Sequence, residues 1–353
     1  MFEIPLPDRS GAAKFQVNPL IVRIALAELR HQGGDPSAIC AQAGFSLNEL
    51  EDPNARLSYL QASTALRCIR EALREEHSLG LRIGLRHHLV ASGLVGFAAM
   101  ACTTLRDAGM LALRFQDLAG SMLLMDIDSH SDHVVVLATP RFSDVSITAC
   151  LIDGTFAALV TAARQLISVG FRPRAVELVA RQPADTSLHH QVFQCPVRFG
   201  CARNRLVIDH EWWLSRIDSG DPRALQRLVP LLEAATVQKT KNLSIDALIE
   251  NRLRENIRQP PSLVELAKLF NTSERNLRRK LSEAGRSYGD ILDQARKTRA
   301  LELITHTQYS MQEIAEEIGF NDPRSLRRAF KRWTGKTLAS AMANMAVKRA
   351  GAR

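Results

Sequence analysis

Two short segments of this chain carry arginine clusters at the same spacing. Their arginines are Arg275, Arg278 and Arg279 in the first segment, and Arg324, Arg327 and Arg328 in the second. A planar guanidinium group can bond O6 and N7 of guanine together, or hold a phosphate with two hydrogen bonds. The chemistry that this pattern favours is binding to the grooves and backbone of a nucleic acid.

Both clusters lie on one face of a predicted amphipathic helix. At about 100° per residue, Leu277 and Leu281 lie opposite the arginines of the first segment. Leu326 and Phe330 lie opposite those of the second. A plain solvated helix face is the alternative interpretation. It is disfavoured because the same face is basic in both segments and carries no compensating acid.

Each of these helices is the second half of a repeated unit. A serine three residues before a glutamate opens each copy, a capping-box pattern that satisfies free amide donors of a first helical turn. A glycine ends each copy, because glycine accommodates a left-handed cap. These residues are Ser262, Glu265 and Gly285 in the first copy, and Ser310, Glu313 and Gly335 in the second. The pattern predicts two helix-turn-helix units, with one residue added in the second turn.

The predicted recognition helices span residues 273–284 and 323–334, and we assign them two kinds of DNA contact. Base edges are assigned first to Arg275, Arg279, Arg324 and Arg328, near the helix N-termini, and second to Arg278 and Arg327. Phosphate contacts are assigned to Ser273, Asn276, Lys280, Ser325, Lys331 and Arg332. We expect the phosphate contacts to position the helices and the base contacts to read the sequence.

The segment from Tyr288 to Ile304 joins the two units and is rich in helix-forming residues. A helix of that length spans roughly 26 Å at about 1.5 Å per residue. With the offset of the flanking helices, this brings the recognition helices near the ~34 Å between successive major grooves on one face of DNA. One chain is therefore expected to read two successive grooves.

The region from about Leu243 to Met342 resembles the DNA-binding domain of the AraC/XylS family of bacterial transcription regulators. The matching residues are Leu263, Glu265, Ala267, Ser273, Leu277 and Arg279, then Ile314, Ala315, Gly319, Phe320, Asp322, Pro323, Arg328, Ala329, Phe330, Lys331, Arg332 and Gly335. Residues 336–342 depart from the small-residue–proline pair usual in that family, which leaves the packing after Gly335 open. The resemblance implies double-stranded promoter DNA and RNA polymerase as partners, and activation rather than repression.

The excess positive charge is confined to this part of the chain. Residues 241–353 hold 22 Lys and Arg against 13 Asp and Glu, a net of +9, whereas residues 1–240 hold 24 of each. This asymmetry is typical of a polyanion-binding module joined to a neutral one. A membrane surface would also attract the charge, but no basic amphipathic helix with an aromatic insertion face accompanies it. No membrane partner is expected.

Residues 1–238 are expected to form an α+β domain, residues 239–244 a linker, and residues 245–353 an all-α domain of two helix-turn-helix units joined by a long helix. In the first domain, helices are predicted at Pro19–Leu29, Tyr59–Glu76, Leu105–Leu118 and Val145–Val169, and strands at Ser121–Asp128, His133–Pro140, Ala175–Ala180, Val197–Phe199 and Arg205–Ile208. A further helix, Pro222–Gln238, either closes this domain or pairs with its equivalent in a second chain.

Phrases in the first domain, such as LVGFAAMACTTLRDA and FQCPVRFGCARNRLVID, resemble the N-terminal sensor domain of the arabinose-binding-like/ornithine-regulator branch of the same family. That resemblance implies a domain that senses a small-molecule effector and can form a homodimer. The glycines and long helices favour an α+β fold over the cupin-like barrel of the arabinose sensor.

Residues that could serve catalysis or bind a metal do not form a recognisable motif. The six cysteines contain no CxxC and are typical of reduced thiols in a cytoplasmic protein. The histidines at 87–88, 130, 133 and 189–190 lack further ligands at metal-site spacing. No phosphate loop, dinucleotide fingerprint or nucleophile elbow is present. We expect no catalytic residues, no metal, no cofactor and a cytoplasmic location.

Two other functions stay open. One is an AraC-type regulator without a small-molecule effector, controlled by a protein partner or by its own expression level. The other is an enzyme–regulator fusion whose neutral domain processes a small molecule, although no motif supports it. Stabilisation of residues 1–240 by a metabolite would separate the first alternative from an effector-controlled regulator.

Overall fold

The computed structural model describes residues 12–342, apart from residues 14, 53–54, 74–77, 143, 242–247, 251, 254–255, 271, 284, 307–308 and 336. The chain divides into two compact units, residues 1–239 and 240–353. The segment predicted as a linker is helical as far as Lys241, and its residues 242–244 lie outside the described residues.

The first unit combines helices with two β-sheets. Its strands are β1 (Gln16–Val17), β2 (Leu57–Ser58), β3 (Leu123–Ser129), β4 (His133–Pro140), β5 (Ala175–Glu177), β6 (Val197–Arg198) and β7 (Asn204–Asp209). Its helices are α1 (Leu20–His31), α2 (Pro36–Ala43), α3 (Leu47–Glu51), α4 (Tyr59–Leu73), α5 (Leu79–Leu85), a 3₁₀ helix (Leu89–Ser92), α6 (Leu94–Met100), α7 (Leu105–Arg114), α8 (Val145–Leu166), α9 (Ser187–Phe193), α10 (His210–Trp213) and α11 (Pro222–Lys241).

The larger sheet is open, with strand order β3-β4-β7-β5-β6. Strand β4 pairs antiparallel with β3 and with β7, so that Val134 lies opposite Ile208, whereas β5 and β6 are parallel. The predicted hairpin across residues 129–132 is confirmed, as is the α+β class. The small sheet pairs β1 with β2 and was not predicted, because two-residue strands leave no periodic pattern to detect.

Helix α8 is the central helix of the first unit and packs closely against α5. A Cβ atom at Gly80 would lie 2.2 Å from the carbonyl oxygen of Cys150, so this approach requires glycine. By length and composition, Ser146–Leu166 could cross a membrane. Phe156 and Val160 are nevertheless fully buried inside the protein. The apolar composition of this helix is therefore explained by its place in the core.

Helix α11 closes the first unit, which is one of the two arrangements expected for it. Leu232 is fully buried, and Leu225 and Leu228 pack against the same core. Leu231, about 100° around the helix from Leu232, is 55% exposed, and Val237 is 54% exposed. The helix therefore keeps two exposed apolar side chains, which lie about 120° apart around its axis.

The second unit is all-α over its described residues, as predicted. Its helices are α12 (Leu263–Leu269), α13 (Glu274–Glu283), α14 (Tyr288–His306), α15 (Met311–Glu317) and α16 (Pro323–Thr334). Two separate cores hold it together. Helix α14 contributes to both, with Ile291 and Ala295 in the first core and Ala300 and Leu303 in the second. Because one continuous helix belongs to both cores, it links the two helix-turn-helix units directly.

Candidate nucleic-acid interface

The first helix-turn-helix unit consists of α12 and α13 and is capped as the sequence predicts. The Ser262 hydroxyl accepts a hydrogen bond from the Glu265 amide at 3.3 Å, and the Glu265 carboxylate accepts one from the Ser262 amide at 2.7 Å. That backbone hydrogen bond lowers the pKa of Glu265 below its usual value. Leu277 and Leu281 are buried in the first core, which leaves the opposite side of α13 exposed.

The second unit, formed by α15 and α16, repeats this arrangement. Ser310 and Glu313 form the same capping box, with the Ser310 amide 2.7 Å from the Glu313 carboxylate. Asp322 caps α16 and accepts a hydrogen bond from the Ser325 amide at 2.9 Å. Leu338 is fully buried in this core, so the segment that departs from the family pattern still packs against the second unit.

The turn of the second unit is one residue longer than that of the first, as predicted. It occupies residues 318–322, compared with residues 270–273 in the first unit. Gly319 lies in this turn with φ of 75°, a backbone conformation that favours glycine. A Cβ atom there would lie 2.6 Å from the carbonyl oxygen of Arg258. The longer turn therefore depends on glycine for both its conformation and its close packing.

Two of the three arginines of α13 form ion pairs with acidic residues of the same helix. Arg278 bonds through Nε and Nη2 to Glu274, at 2.9 and 2.6 Å. Arg279 pairs with Glu283 and also donates to Asn276 at 2.9 Å. The expectation that this face carries no compensating acid is therefore wrong for α13. Both acids lie four residues from the arginine that they pair with, a spacing at which helical side chains meet.

Other arginines of the predicted base-reading set are unoccupied. Arg275, Arg324 and Arg327 are exposed, and their side chains have no hydrogen-bond or ion-pair partner among the described residues. Arg328 makes one long hydrogen bond, 3.5 Å from Nη2 to the Ser325 hydroxyl. These guanidinium groups are available to a ligand without breaking an ion pair.

The two recognition helices consequently differ in net charge. Helix α13 carries four basic and two acidic side chains, a net of +2. Helix α16 carries five basic side chains and no acidic one, a net of +5. Attraction to DNA phosphates grows with the number of uncompensated cations. Helix α16 therefore carries the larger uncompensated positive charge of the two recognition helices.

The residues predicted to contact phosphate have three different surroundings. The Ser273 hydroxyl accepts from the Asn276 amide at the start of α13, whereas the Ser325 hydroxyl donates to Asp322, the cap of α16. Asn276 also donates through Nδ2 to the Thr272 hydroxyl. Lys280 and Lys331 are exposed, and their side chains have no hydrogen-bond or ion-pair partner within the described part of the chain. Arg332 pairs with Asp293 of α14 at 2.6 Å.

Two arginines outside the predicted set support the second unit. Arg296 of α14 donates through Nη2 to the Gly319 carbonyl at 2.8 Å and lies over the Phe320 ring. Burial lowers the pKa of Arg296 below the usual arginine value. Arg258 forms an ion pair with Glu317 of α15. Sequence analysis missed both residues, because each acts on a segment distant in sequence and belongs to no local motif.

Potential metal ligands in the first unit do not assemble into a site. No group of three or more His, Cys, Asp and Glu side chains among the described residues is placed to hold a metal ion. The rings of His130 and His133 stack at 4.5 Å, each beside an aspartate. His189 is buried and lies 3.4 Å from Asp153 of α8. These contacts account for His130, His133 and His189 as parts of local polar networks.

Comparison with known proteins identifies a family for each of the two compact units, residues 1–239 and residues 240–353. Residues 33–217 match the family described as the N-terminal arabinose-binding domain of AraC transcription regulator, and residues 266–343 match a helix-turn-helix domain family. The ornithine utilization regulator of Pseudomonas aeruginosa is 30% identical over 300 residues, covering 81% of this chain and 84% of the relative. The HTH-type transcriptional regulator VqsM of the same organism is 26% identical over 278 residues, covering 73% of this chain and 81% of the relative.

Among solved structures, the transcriptional regulator CdpR from Pseudomonas aeruginosa has 22% sequence identity and a TM-score of 0.47, over 92% of this chain and 98% of CdpR. Both of the relatives named in the preceding paragraph are regulators. The arabinose-binding family match alone covers more than half of the 353 residues. With that domain in its first unit and a DNA-binding helix-turn-helix domain in its second, this chain belongs to the AraC family of transcription regulators.

Proposed function

We propose that this chain is a sequence-specific regulator that reads two successive major grooves of promoter DNA and is controlled by a small molecule bound to its first unit. The observation that carries this proposal is the pair of capped helix-turn-helix units that share α14. A helix of that length reaches about 28 Å at roughly 1.5 Å per residue, comparable with the ~34 Å between grooves. Each unit also has an exposed basic recognition helix.

The arginines would not contribute equally to binding. Arg275, Arg324 and Arg327 can approach a base or phosphate directly, because no acid holds them among the described residues. Arg278 and Arg279 must first leave Glu274 and Glu283. Exposed ion pairs of this kind are worth about 0–1 kcal/mol, so the exchange costs little when a guanine or phosphate replaces the acid. Lys280 and Lys331 would supply phosphate contacts that do not depend on sequence.

The first compact unit, residues 1–239, would bind the controlling small molecule and form the homodimer. A relative's name refers to ornithine utilization, which supports a role for this chain in regulating the use of a small metabolite. The exposed apolar side chains Leu231 and Val237 on α11 support homodimer formation, which would raise occupancy of paired half-sites. Activation through contact with RNA polymerase remains part of the proposal on the strength of family membership.

The two-groove proposal can be tested by selecting binding sites from a random DNA pool with the full-length protein. Hydroxyl-radical footprinting of a selected site should show two protected blocks on one DNA face, about 10 bp apart. A single block would contradict reading by both units. A single block that survives Arg275→Ala but is lost in Arg324→Ala would assign the remaining contact to α16.

The homodimer can be tested by sedimentation of the full-length protein. Replacing Leu231 and Val237 together by glutamate should convert a dimer to a monomer, because an interface that covers either residue would bury an unpaired charge. Replacement of exposed Val169 by glutamate is the matched control, since that residue is 87% exposed and lies away from α11 in sequence. An unchanged mass in the α11 variant would place any dimer contact elsewhere.

A further inference from the structure

The first unit contains a cleft that no local motif predicts. Three chain segments line it, namely residues 170–174, 194–196 and 209–215, and we call it the Trp212 cleft. Its volume is about 660 Å³. Cavities that hold small molecules and cofactors commonly measure about 300–1,000 Å³. The size of the Trp212 cleft therefore suits a metabolite rather than a macromolecule.

One wall of the Trp212 cleft is held rigid by an ion-pair network. Arg174 pairs with Asp209 through Nε, and its Nη1 donates to the Asp132 carboxylate at 2.6 Å. Its Nη2 donates to the Asp132 carbonyl at 3.2 Å. The hydrogen bond from Arg174 holds the pKa of Asp132 well below its usual value. Because all three donor nitrogens of Arg174 are engaged, this residue shapes the wall and leaves recognition to others.

Two unengaged charges of opposite sign line the same cleft. Arg172 and Glu211 are both exposed, and neither side chain has an ion-pair or hydrogen-bond partner within the described residues. Trp212 follows Glu211 in the chain and also lines the cleft. Its ring is held edge-on against buried Phe171, with the ring centroids 5.6 Å apart. The cleft thus combines a cation, an anion and a fixed aromatic surface.

A half-buried arginine contacts the 170–174 segment and α9, the helix that leads into the 194–196 segment. Arg164 of α8 donates through Nε to the Phe171 carbonyl at 3.0 Å, and through Nη1 to the Val192 carbonyl at 2.9 Å. Its Nη2 is buried and has no hydrogen-bond partner in the described structure. Burial raises the pKa of the lining residue Cys195 to about 11, while the charge of Arg164 acts in the opposite direction. A positive charge therefore lies close behind the 194–196 wall.

We propose that the Trp212 cleft binds a zwitterionic small molecule of the free α-amino-acid class. The carboxylate of the ligand pairs with Arg172, its ammonium group pairs with Glu211, and its side chain packs against Trp212. Arg172 and Glu211 both lose hydration when a ligand binds, and a zwitterion replaces that hydration with an opposite charge for each residue. A neutral sugar or a simple anion leaves at least one of the two residues without a charged partner. This inference rests on the proposed small-molecule control and identifies its site and ligand chemistry.

The test uses the full-length protein and the twenty standard L-amino acids together with L-ornithine. Thermal shift should identify the amino acids that stabilise the protein, and calorimetry should then give their affinities. For each one that binds, the N-acetyl derivative removes the ammonium charge and the carboxamide derivative removes the carboxylate. We expect each derivative to bind at least tenfold more weakly than the parent amino acid.

Variants locate the site. Arg172→Gln should weaken the parent amino acid at least tenfold and abolish its advantage over the carboxamide. Glu211→Gln should abolish the advantage over the N-acetyl derivative. Arg30→Gln is the matched control, because Arg30 is an exposed arginine at the end of α1 and does not line the cleft. Since Arg172 and Glu211 are exposed, unchanged melting temperatures of the unliganded variants will show that folding is intact.

Two outcomes would overturn the inference. One is that no amino acid of the panel stabilises the protein, and the other is that binding persists unchanged in both cleft variants. DNA binding is measured on the same preparations with a site selected by the unliganded protein. Intact DNA binding with either negative outcome rejects the amino-acid cleft alone, whereas loss of sequence-specific DNA binding rejects the proposed regulator itself.

Discussion

Arg296 of the linking helix lies over the Phe320 ring, with its guanidinium carbon 4.6 Å from the ring centroid. The same side chain donates to the carbonyl of Gly319, the residue before Phe320. Phe320 in turn packs against Trp333 of α16, with ring centroids 5.9 Å apart. A chain of contacts thus runs from the linking helix through the turn to the second recognition helix, and it holds that helix in place.

Removing the contacts of Arg296 with Gly319 and Phe320 should destabilise the second helix-turn-helix unit. Arg296→Met keeps much of the stem but loses the hydrogen bond and the cation–π contact, and we expect a loss of about 1–3 kcal/mol. Hydrogen exchange of the full-length protein should speed up in residues 311–334 more than in residues 263–283. Lys297→Met on the same helix is the control. Equal exchange in the two variants would show that Arg296 does not hold the turn.

The left-handed turn residue Gly319 should tolerate alanine less well than another left-handed glycine. Gly319→Ala brings a Cβ atom to 2.6 Å from one carbonyl oxygen and 2.7 Å from another. Gly335 has φ of 70° but open space around its Cβ direction, so Gly335→Ala bears only the conformational strain of about 1 kcal/mol. Thermal melts should show the larger loss for Gly319→Ala. Equal losses would mean that the turn moves away from residues 257–258 at little cost.

The unequal pairing of the arginines predicts unequal effects on DNA binding. Arg324→Ala should cost about 1–3 kcal/mol on a selected site and relax base preference at one position. Arg278→Ala should reduce the binding free energy by less than Arg324→Ala does. The reason is that Arg278 must give up its ion pair with Glu274 before it contacts DNA. Conversely, Glu274→Gln should tighten binding about two- to fivefold, since an exposed pair is worth about 0–1 kcal/mol.

Titrations at several salt concentrations provide the measurement and separate the two contact types. Lys331→Ala should weaken selected and random DNA alike and reduce the salt slope by about one, as expected for a phosphate contact. Glu51→Gln in the first unit controls for a simple change in net charge. If Glu51→Gln tightened DNA binding as much as Glu274→Gln does, the effect at α13 would not be local.

The Asp322 cap should make the second unit sensitive to acid. Hydrogen bonds from the Ser325 amide and hydroxyl lower the pKa of Asp322 below its ordinary value of 3.8. A carboxylate with a lowered folded-state pKa stabilises the fold above its unfolded pKa, and this contribution is lost as pH falls through the folded value.

Comparison with Asp322→Asn isolates the charge, because asparagine is also a good helix cap. The wild-type protein should be the more stable of the two at pH 6, measured by urea unfolding followed in the second unit. The difference should shrink as the pH is lowered below about 4 and should disappear once Asp322 is protonated. A difference that is constant from pH 6 to pH 3 would show that the charge contributes nothing.

Most features that depend on residues close together in the chain are predictable from the sequence. Both capping boxes, the glycine stops and the extra turn residue depend on neighbours in the chain, so they could be predicted before any packing was known. The β3–β4 hairpin was predictable for the same reason. The pairs Arg278–Glu274 and Arg279–Glu283 are equally local, and attention to their four-residue spacing would have found them.

The amino-acid sequence by itself determined the repeated helix-turn-helix pattern, the two-part charge distribution and the membership of the family. Tertiary structure alone decided that Arg296 braces the second turn and that Arg172, Glu211 and Trp212 line one cleft. The physical reason is distance along the chain. Periodicity and capping report interactions within one or two helical turns, whereas the cleft exists only because residues near 170, 195 and 210 are brought together by strands β5, β6 and β7.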